Sequence, residues 1–262
     1  MPKPQIGVVV PTLNRASTLP WTLHSLTSQR GVSPEILVAD SGSTDGTLEV
    51  CREWGIPTIY VPPGNMYRAI NAGLRELDSE WVTYLNSDDV VFSDSYARLV
   101  TCGEEKRADL VYGDCDFVDW EGRFLFMMKA PPPRRLAGLV RLSPVHGGRV
   151  GFAQPAAIYR RTAFSELGGF NERFRNIADY DFFFRLVTSG RAVARLTRPS
   201  VAAFRLHDSQ LSVREGNNMM EELKAFQKEA EVRVSLSDLM DLLRWRLQNS
   251  PVYLWRLSKL RP

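Results

Sequence analysis

Short apolar runs that alternate with helical segments constrain the fold of this chain most strongly. The runs occupy residues 6–10, 35–39 and 81–85, and each is followed by a polar loop. Continuous apolar runs of this length are typical of strands that are buried on both faces. The alternation continues through Val111 and predicts an α/β protein with a mostly parallel central sheet flanked by helices.

The polar stretch Asn86-Ser87-Asp88-Asp89 directly follows the third apolar run. Two adjacent carboxylates at the end of a buried strand repel each other and are costly to bury. A divalent cation such as Mg²⁺ or Mn²⁺ removes that cost, because it prefers oxygen ligands and also binds substrate phosphates. The alternative is a solvated turn, in which Asp88 or Asp89 caps the helix that starts near Asp94.

A second polar loop follows the second run, which ends in Asp40. Residues 41–47 are rich in Gly, Ser and Asp, and a helical stretch then continues to Trp54. A strand, a loop of this composition and a helix together offer backbone N–H groups and hydroxyls to a nucleotide. Helix capping alone would explain Ser43 or Thr44, but it would not explain the carboxylate of Asp40. Neither GxGxxG after a predicted strand nor GxxxxGK[ST] occurs, which disfavours dinucleotide-binding and P-loop enzymes.

Acidic residues and a histidine recur far downstream. Asp179 and Asp181 begin a strongly apolar helix, where the helix dipole alone accounts for one of the two acids. His207 follows a predicted strand over residues 192–204, and is either a solvated loop residue or a contact to metal or phosphate. Residues 116–128 are predicted to form a hairpin, and residues 64–73 open another helix before the third run.

The stretch over residues 129–151 is predicted to be poor in regular structure. It contains Pro131-Pro132-Pro133 and several arginines, and it is too long for a simple connection in a compact domain. We therefore expect a functional loop that moves and shapes an acceptor side. His146 and Arg149 are candidates for phosphate contacts, although solvated loop residues would look the same.

The order of these motifs resembles that of the inverting nucleotide-sugar glycosyltransferases of the GT-A fold, in the large family-2 type. The matching segments are residues 11–15, 39–47, 67–73, 85–89, 154–155, 168–170, 179–181 and 207. The resemblance implies a Rossmann-like GT-A domain over 1–212, with a nucleotide-binding part over about 1–115 and an acceptor part over about 116–212. A basic, aromatic-rich helical extension would follow over 213–262.

The resemblance also implies the position of the donor nucleotide. The base and ribose would lie between the loop after the first strand and the carboxylate that ends the second. The nucleotide-binding residues implied in this way are Pro11, Thr12, Asn14, Arg15, Asp40, Ser43, Asp45, Tyr67, Asn71, Asn86 and Asp88.

The same resemblance implies a divalent metal, Mn²⁺ or Mg²⁺, as cofactor. Asp89 is the preferred ligand, together with Asp88, and His207 would complete the metal or diphosphate site. Asp179 would be the catalytic base, with Asp181 as the alternative. The chain departs from the commoner family pattern at two positions, where Asn86 replaces an acid and Ala178 replaces a glutamate.

The activity implied is transfer of a sugar from a nucleoside-diphosphate sugar to a glycan or lipid-linked glycan, in cell-surface polysaccharide assembly. A UDP-sugar is favoured as donor, and GDP or dTDP remain open. Two alternatives stay open as well. A nucleotidyltransferase would use similar groups but attack phosphorus, and a non-catalytic binding module for nucleotide-sugars or glycans would fit Asn86 and Ala178.

Bulk composition limits the partners. The 33 basic and 30 acidic residues nearly balance, which disfavours a nucleic-acid-binding protein. The three cysteines show no CxxC or zinc-ligand spacing, so a reducing cytosol is expected. No apolar run is long enough to span a bilayer, and the first ends too early for a signal peptide.

The C-terminal segment mixes Lys and Arg with Trp, Tyr and Leu between residues 244 and 261. This composition is typical of a segment at a membrane interface, and it predicts peripheral contact through residues 238–262 on the inner face of the membrane. The alternative is a terminal helix that packs on the core and leaves its basic face in water.

Overall fold

The computed structural model describes residues 5–142, 151–207, 210, 216–252 and 255. Its helices are α1 (Leu19–Thr27), α2 (Thr47–Glu53), α3 (Met66–Glu76), α4 (Ser95–Lys106), α5 (Pro133–Leu142), α6 (Arg161–Glu166), α7 (Ala178–Thr188), α8 (Gly216–Glu229) and α9 (Leu236–Gln248). Its strands are β1 (Ile6–Thr12), β2 (Glu35–Asp40), β3 (Thr58–Tyr60), β4 (Trp81–Tyr84), β5 (Val90–Val91), β6 (Leu110–Tyr112), β7 (Cys115–Val118), β8 (Phe124–Met128), β9 (Ala157–Arg160), β10 (Val193–Arg195) and β11 (Ala202–Arg205).

A central sheet of seven strands, in the order β10-β6-β9-β4-β1-β2-β3, organises the described part of the chain. Its pairs are parallel except where β9 runs antiparallel between β4 and β6. The predicted α/β fold with a mostly parallel, helix-flanked sheet is therefore confirmed. A smaller sheet in the order β5-β11-β7-β8 lies beside it, of which only the hairpin over residues 116–128 was predicted from the sequence.

The continuous apolar sequence of β1 follows from burial on both faces of the sheet. Val9 packs in one core cluster with Ile70 of α3, whereas Val8 and Val10 pack in a second cluster with Leu23 of α1. Successive side chains of a strand point to opposite faces, so a strand covered by helices on both sides must be apolar at every position.

The parallel strands bring the predicted loops to one edge of the sheet. β1 pairs with both β2 and β4, with Thr12 opposite Asp40 and Val9 opposite Tyr84. The chain then leaves all three strands at the same end, which is where ligands bind in open α/β sheets. α3 begins beside this edge, where the Asn65 side chain accepts a hydrogen bond of 2.9 Å from the Tyr67 N–H.

Two expectations about the middle and later chain were wrong. The single strand expected over residues 192–204 is two strands, β10 and β11, in different sheets, with a cis Arg198–Pro199 bond between them. Proline cannot donate to a ladder, so the run had to be interrupted there. The stretch 129–151 contains helix α5, which starts at Pro133. Proline is favoured in the first helical position, and Leu136 and Leu139 give the helix a buried face.

The hairpin expected over residues 116–128 is confirmed as the antiparallel pair β7 and β8. His146 and Arg149 lie outside the described residues, so their predicted phosphate contacts stay predictions.

The C-terminal helices pack on the rest of the chain. Phe226 of α8 contacts Tyr180 of α7, with ring centroids 5.1 Å apart. Trp245 of α9 is buried, and its indole N–H donates a hydrogen bond of 3.0 Å to the Lys129 carbonyl. Within the described residues, we find no helix whose length and apolar character would allow it to cross a bilayer.

Candidate active site

A cavity of about 510 Å³ opens at the edge of the sheet where β1, β2 and β4 end. Its wall combines the loops after these strands with the start of α3, the start of α7 and residues of α8 and β11. The structure brings together in this wall seven of the residues proposed from the sequence, namely Pro11, Thr12, Arg15, Tyr67, Asn86, Asp88 and Asp179.

Asp179 lies in the first turn of α7, at the wall of the cavity. Its Oδ1 accepts a hydrogen bond of 2.9 Å from the Tyr67 hydroxyl and one of 2.8 Å from the Tyr180 N–H. Burial raises the pKa of Asp179, and the hydrogen bond from Tyr67 lowers it only in part, so the net shift is upward. A carboxylate with a raised pKa is a stronger base, which suits proton abstraction near neutral pH.

Tyr67 lines the cavity and is a hydrogen-bond partner of Asp179, and its predicted nucleotide contact stays a prediction. Its side chain is buried among aromatic rings, with its centroid 5.5 Å from that of Phe170 and 6.4 Å from that of Tyr84. Burial and the charge of Asp179 raise the pKa of the Tyr67 phenol well above its ordinary value. The hydroxyl therefore keeps its proton and remains a hydrogen-bond donor to the carboxylate.

Asp181, the alternative base, does not reach the cavity. Its carboxylate pairs with Arg185, whose Nη2 and Nε lie 2.6 Å and 2.9 Å from Oδ2. The residue is buried away from the wall. Two residues along an α-helix differ by about 200° in direction, so Asp179 and Asp181 cannot face the same ligand. The geometry therefore favours Asp179 over Asp181, and the role of base stays a prediction.

The two adjacent aspartates also point in different directions. Asp88 lines the cavity, and its Oδ2 lies 2.9 Å from Nε2 of His207. Asp89 turns inward and is 1% exposed, because its Oδ1 accepts from the Arg205 N–H at 2.9 Å and its Oδ2 from the Asn86 amide at 3.2 Å. Burial and the charge of Asp88 raise the pKa of Asp89 well above its usual range. This geometry favours Asp88 over Asp89, the preferred ligand of the sequence analysis, and the metal-ligand assignment stays a prediction.

Arg205, which was not predicted, holds the aspartate loop in place. Its Nε donates a hydrogen bond of 3.0 Å to the Asp88 carbonyl, while its backbone N–H holds Asp89. Its guanidinium lies 4.2 Å from the ring centre of Trp21, which supports it from α1. An arginine at the end of an apolar strand was the only sequence signal for this role.

Asp40 connects the first two loops. Its carboxylate accepts from the Thr12 hydroxyl at 2.8 Å, from the Gly42 and Ser43 N–H groups at 2.8 Å each, and from the Ser43 hydroxyl at 2.5 Å. Burial raises the pKa of Asp40, but these hydrogen bonds outweigh it and the net shift is downward. Asp40 is outside the wall, and the neighbouring Ser41 is in it.

Three further residues predicted to bind the nucleotide, Asn14, Ser43 and Asp45, make hydrogen bonds within the loops at this edge of the sheet. The Asn14 side chain accepts from the Thr44 N–H at 2.9 Å, and the Asn14 N–H donates to the Ser43 hydroxyl at 2.8 Å. Asp45 accepts from the Thr47 and Ala16 N–H groups, both at 3.1 Å. Neither Asn14, Ser43 nor Asp45 lines the cavity, so the structure assigns them contacts within the loops.

Asn71 anchors a turn instead of facing the cavity. Its amide donates to the Phe170 carbonyl at 2.8 Å and accepts from the Phe170 N–H at 3.0 Å. Gly169 adopts φ +70° here, and a Cβ at this position would lie 3.0 Å from the Asn71 side chain. Only glycine fits this left-handed position without strain.

Gln154 is a cavity residue to which the sequence analysis gave no role. Its Nε2 donates a hydrogen bond of 2.7 Å to the Tyr84 carbonyl at the end of β4. Its Oε1 is buried and has no hydrogen-bond partner among the described residues. Asn65, Arg175 and Met219 complete the wall from α3, the segment before α7, and α8.

The donors beside the cavity fit a metal that is bound with substrate. The described residues contain no cluster of three or more His, Cys, Asp or Glu side chains that could hold an ion. Asp88 in the wall is nevertheless in contact with the imidazole of His207, which lies behind it and outside the wall. Mg²⁺ and related ions often take one or two protein ligands and complete their shell with water and phosphate oxygens.

Comparison with known families decides the class of protein. The family model described as "Glycosyl transferase family 2" matches residues 7–168. The chain belongs to glycosyl transferase family 2. It is therefore a glycosyltransferase, and the resemblance found in its sequence is confirmed.

Relatives and solved structures agree with this assignment. A Mycobacterium bovis protein named PGL/p-HBAD biosynthesis glycosyltransferase is 29% identical over 218 residues, covering 78% of each chain. S. aureus TarS 1-349 in complex with UDP-GlcNAc has a similar fold, with a TM-score of 0.65, 17% identity, and coverage of 92% of this chain and 79% of that one. The mannosyltransferase PcManGT from Pyrobaculum calidifontis, in complex with GDP-Man and Mn²⁺, also has a similar fold. Its TM-score is 0.62 at 19% identity, and the match covers 93% of this chain and 69% of that one.

Proposed function

We propose that this glycosyltransferase moves a sugar from a nucleoside-diphosphate sugar, with a UDP-sugar favoured, to an acceptor hydroxyl with inversion at the anomeric carbon. One observation carries the proposal. Asp88, from the loop after β4, and Asp179, from the first turn of α7, line the same cavity. In this proposal Asp88 would act on the leaving group and Asp179 on the nucleophile.

The donor nucleotide would lie against the loops after β1 and β2. Thr12, Arg15 and Ser41 line this part of the cavity and offer hydroxyls and a positive charge. The hydrogen bonds of Asp40 to Thr12, Gly42 and Ser43 fix the two loops relative to each other before the ligand arrives. Such preorganisation reduces the ordering cost of binding.

Asp88 and His207 would hold a divalent cation, Mn²⁺ or Mg²⁺, at the diphosphate. When bound, the cation would offset the negative charge that develops on the leaving nucleoside diphosphate. Two solved structures of similar fold support this choice, since PcManGT was determined with Mn²⁺ and a glucosyl-3-phosphoglycerate synthase from Mycobacterium tuberculosis with Mn²⁺ and UDP. Asn86 would then contribute a neutral amide where the commoner pattern has an acid.

Asp179 would act as the general base. The acceptor oxygen forms its bond to the anomeric carbon while the bond from that carbon to the phosphate oxygen breaks. The acceptor proton passes to Asp179. Because Oδ1 already receives two hydrogen bonds, Oδ2 is the oxygen left to take that proton. A single displacement of this kind inverts the anomeric centre.

The acceptor in this proposal is a glycan or lipid-linked glycan of cell-surface polysaccharide assembly. The Mycobacterium bovis relative is named for PGL/p-HBAD biosynthesis, and the lipid-linked acceptor itself rests on the family resemblance of the sequence. A peripheral position on the cytoplasmic face of a membrane belongs to the same proposal.

We also propose residues 1–212 as the catalytic domain, with nucleotide and acceptor parts over about 1–115 and 116–212. Residues 213–262 form its extension, from which Met219 reaches the cavity wall.

The test measures donor binding and chemistry separately. Thermal shifts with UDP, GDP, CDP and dTDP, each with Mg²⁺ or Mn²⁺, should identify one nucleotide that raises the melting temperature. Asp179→Asn should keep that shift and lose about 10²–10⁴-fold in transfer to a panel of glycoside acceptors. NMR of the product should show the opposite anomer to the donor. Unchanged transfer by Asp179→Asn, or a retained anomer, would contradict the mechanism.

A further inference from the structure

Helix α9 exposes a stripe of large apolar side chains. The exposed fractions are 77% for Leu236, 48% for Leu239, 43% for Met240, 52% for Leu243 and 67% for Leu247. We call these five residues the outer stripe. Apolar side chains of this size, adjacent on one helix, form a surface that water covers poorly and that is typical of an interaction site.

The outer stripe lies opposite the face by which α9 packs on the protein. Asp238, Leu242 and Trp245 are buried and form the inner face. Asp238 accepts hydrogen bonds of 2.5 Å and 3.0 Å from the guanidinium of Arg141 in α5. The inner face thus makes the contacts that hold α9 on the protein, and the outer stripe takes no part in them.

Two arginines flank the outer stripe. At about 100° per residue, Arg244 and Arg246 lie roughly 80° to either side of Leu236, at the two borders of the stripe. Both are exposed. An apolar stripe with basic residues along its borders is the arrangement of a helix that lies in the plane of a membrane interface, where long basic side chains reach the phosphates.

The charge of the C-terminal segment points to an anionic surface. From residue 242 to the end, the sequence contains five basic residues, Arg244, Arg246, Arg256, Lys259 and Arg261, and no Asp or Glu. The net charge of the whole chain is only +3, so the positive charge is concentrated here. A neutral or basic partner surface would gain nothing from this concentration.

The position of α9 relates the outer stripe to the acceptor side of the cavity. α5 lies between α9 and α7, because its Arg141 binds Asp238 and its Val140 carbonyl accepts a hydrogen bond of 3.1 Å from Tyr180. Tyr180 follows Asp179 in α7 and lines the cavity itself. A surface that takes up the outer stripe is therefore separated by α9 and α5 from α7, the helix that carries Asp179.

We propose that the outer stripe of α9 binds the headgroup region of an anionic lipid bilayer. Leu236, Leu243 and Leu247 enter the boundary between headgroups and acyl chains, and Arg244 and Arg246 contact lipid phosphates. This deepens the proposed function and rests on it, because it names the surface from which a lipid-linked acceptor would come to the cavity. Lipid binding is measured without donor or acceptor, so it succeeds or fails independently of that function.

The experiment is flotation of the full-length protein with vesicles. One set contains phosphatidylcholine alone, and the other also contains phosphatidylglycerol. The protein should float with the anionic set, and added salt should weaken the binding by screening the arginines. Leu243→Gln combined with Leu247→Gln should reduce the bound fraction by roughly tenfold or more, since two large apolar side chains lose their burial.

The matched control is Phe124→Gln, which makes a similar change at a residue that is 61% exposed on β8. It should bind vesicles as the unmodified protein does. Arg244→Gln with Arg246→Gln should remove the preference for anionic vesicles while thermal melting stays unchanged. Equal flotation of the leucine variant and the unmodified protein would overturn the proposal. Absence of flotation, with light scattering showing a dimer that the leucine variant breaks, would identify the stripe as a subunit interface instead.

Discussion

Replacing Tyr67 by Phe tests how the cavity tunes its base. The change removes one hydroxyl, which donates a 2.9 Å hydrogen bond to Oδ1 of Asp179. That bond favours the ionised carboxylate and opposes the effect of burial, which raises the pKa of Asp179. Without it the pKa of Asp179 rises further. The base is then protonated at higher pH, and the acid limb of kcat/KM moves upward.

The size of the effect follows from the type of hydrogen bond. A bond to a charged group contributes about 1.5–3 kcal/mol. Asp179 lies at the wall of a cavity that water can enter, so water replaces part of the lost bond and the lower end applies. Since about 1.4 kcal/mol corresponds to a factor of ten, activity on the acid side should fall about tenfold. On the alkaline side, where Asp179 is ionised in both proteins, activity should change little.

The assay is the pH profile of kcat/KM for sugar transfer by full-length Tyr67→Phe. Tyr96→Phe is the matched control, because it also removes a buried phenol hydroxyl, but one without a hydrogen-bond partner among the described residues and outside the cavity wall. The control should keep the original profile. A uniform loss of activity at every pH in Tyr67→Phe, or a shift of the acid limb to lower pH, would refute the role assigned to this hydrogen bond.

Three other perturbations test the metal site, the core and the C-terminal helix. Asp88→Asn should abolish the stimulation of transfer by Mn²⁺, whereas Asp89→Asn should keep the same metal dependence, as a titration of activity against Mn²⁺ would show. Gly103→Ala should lower the free energy of unfolding by about 1–3 kcal/mol in urea denaturation, because its Cβ would meet the ring of Trp81 at less than van der Waals distance. Arg141 holds the pKa of Asp238 below its usual value, so the stability from this pair is present above the unfolded-state pKa and lost as pH falls through the folded one. Asp238→Asn should therefore be less stable than the unmodified protein at neutral pH, and the difference should vanish in acid melts.

The sequence predicted the structure correctly where the local residue pattern directly reflects how the segment packs in the fold. The runs that became β1, β2 and β4 are apolar at nearly every position because both sheet faces are covered, and their polar loops therefore had to meet at one edge. Asp179 was noticed as an acid that opens an apolar helix, and its predicted role as base came from the family resemblance. These features depend on neighbours in the chain, which a single sequence shows.

Other features depend on residues that are distant in sequence. Which of Asp88 and Asp89 faces the cavity is decided by β11, whose Arg205 binds the backbone of one and the carboxylate of the other. α5 was missed because the three consecutive prolines that lead into it are typical of irregular structure. The helix is stabilised by its buried face, which contacts α7 and α9. The second sheet brings together strands more than 80 residues apart, and no local pattern reports that pairing.

Asn249 and Lys129 exchange two hydrogen bonds, of 2.7 Å from the Lys129 N–H to the Asn249 side chain and of 3.1 Å from the Asn249 amide to the Lys129 carbonyl. They fasten one end of α9, and Asp238 with Arg141 fastens the other. Because both ends of α9 are held by hydrogen bonds, the helix cannot change its orientation relative to the rest of the protein. If a bilayer binds the outer stripe as proposed, it would meet the enzyme at one fixed tilt, and a lipid-linked acceptor in that bilayer would approach the cavity from a direction that is set before it binds.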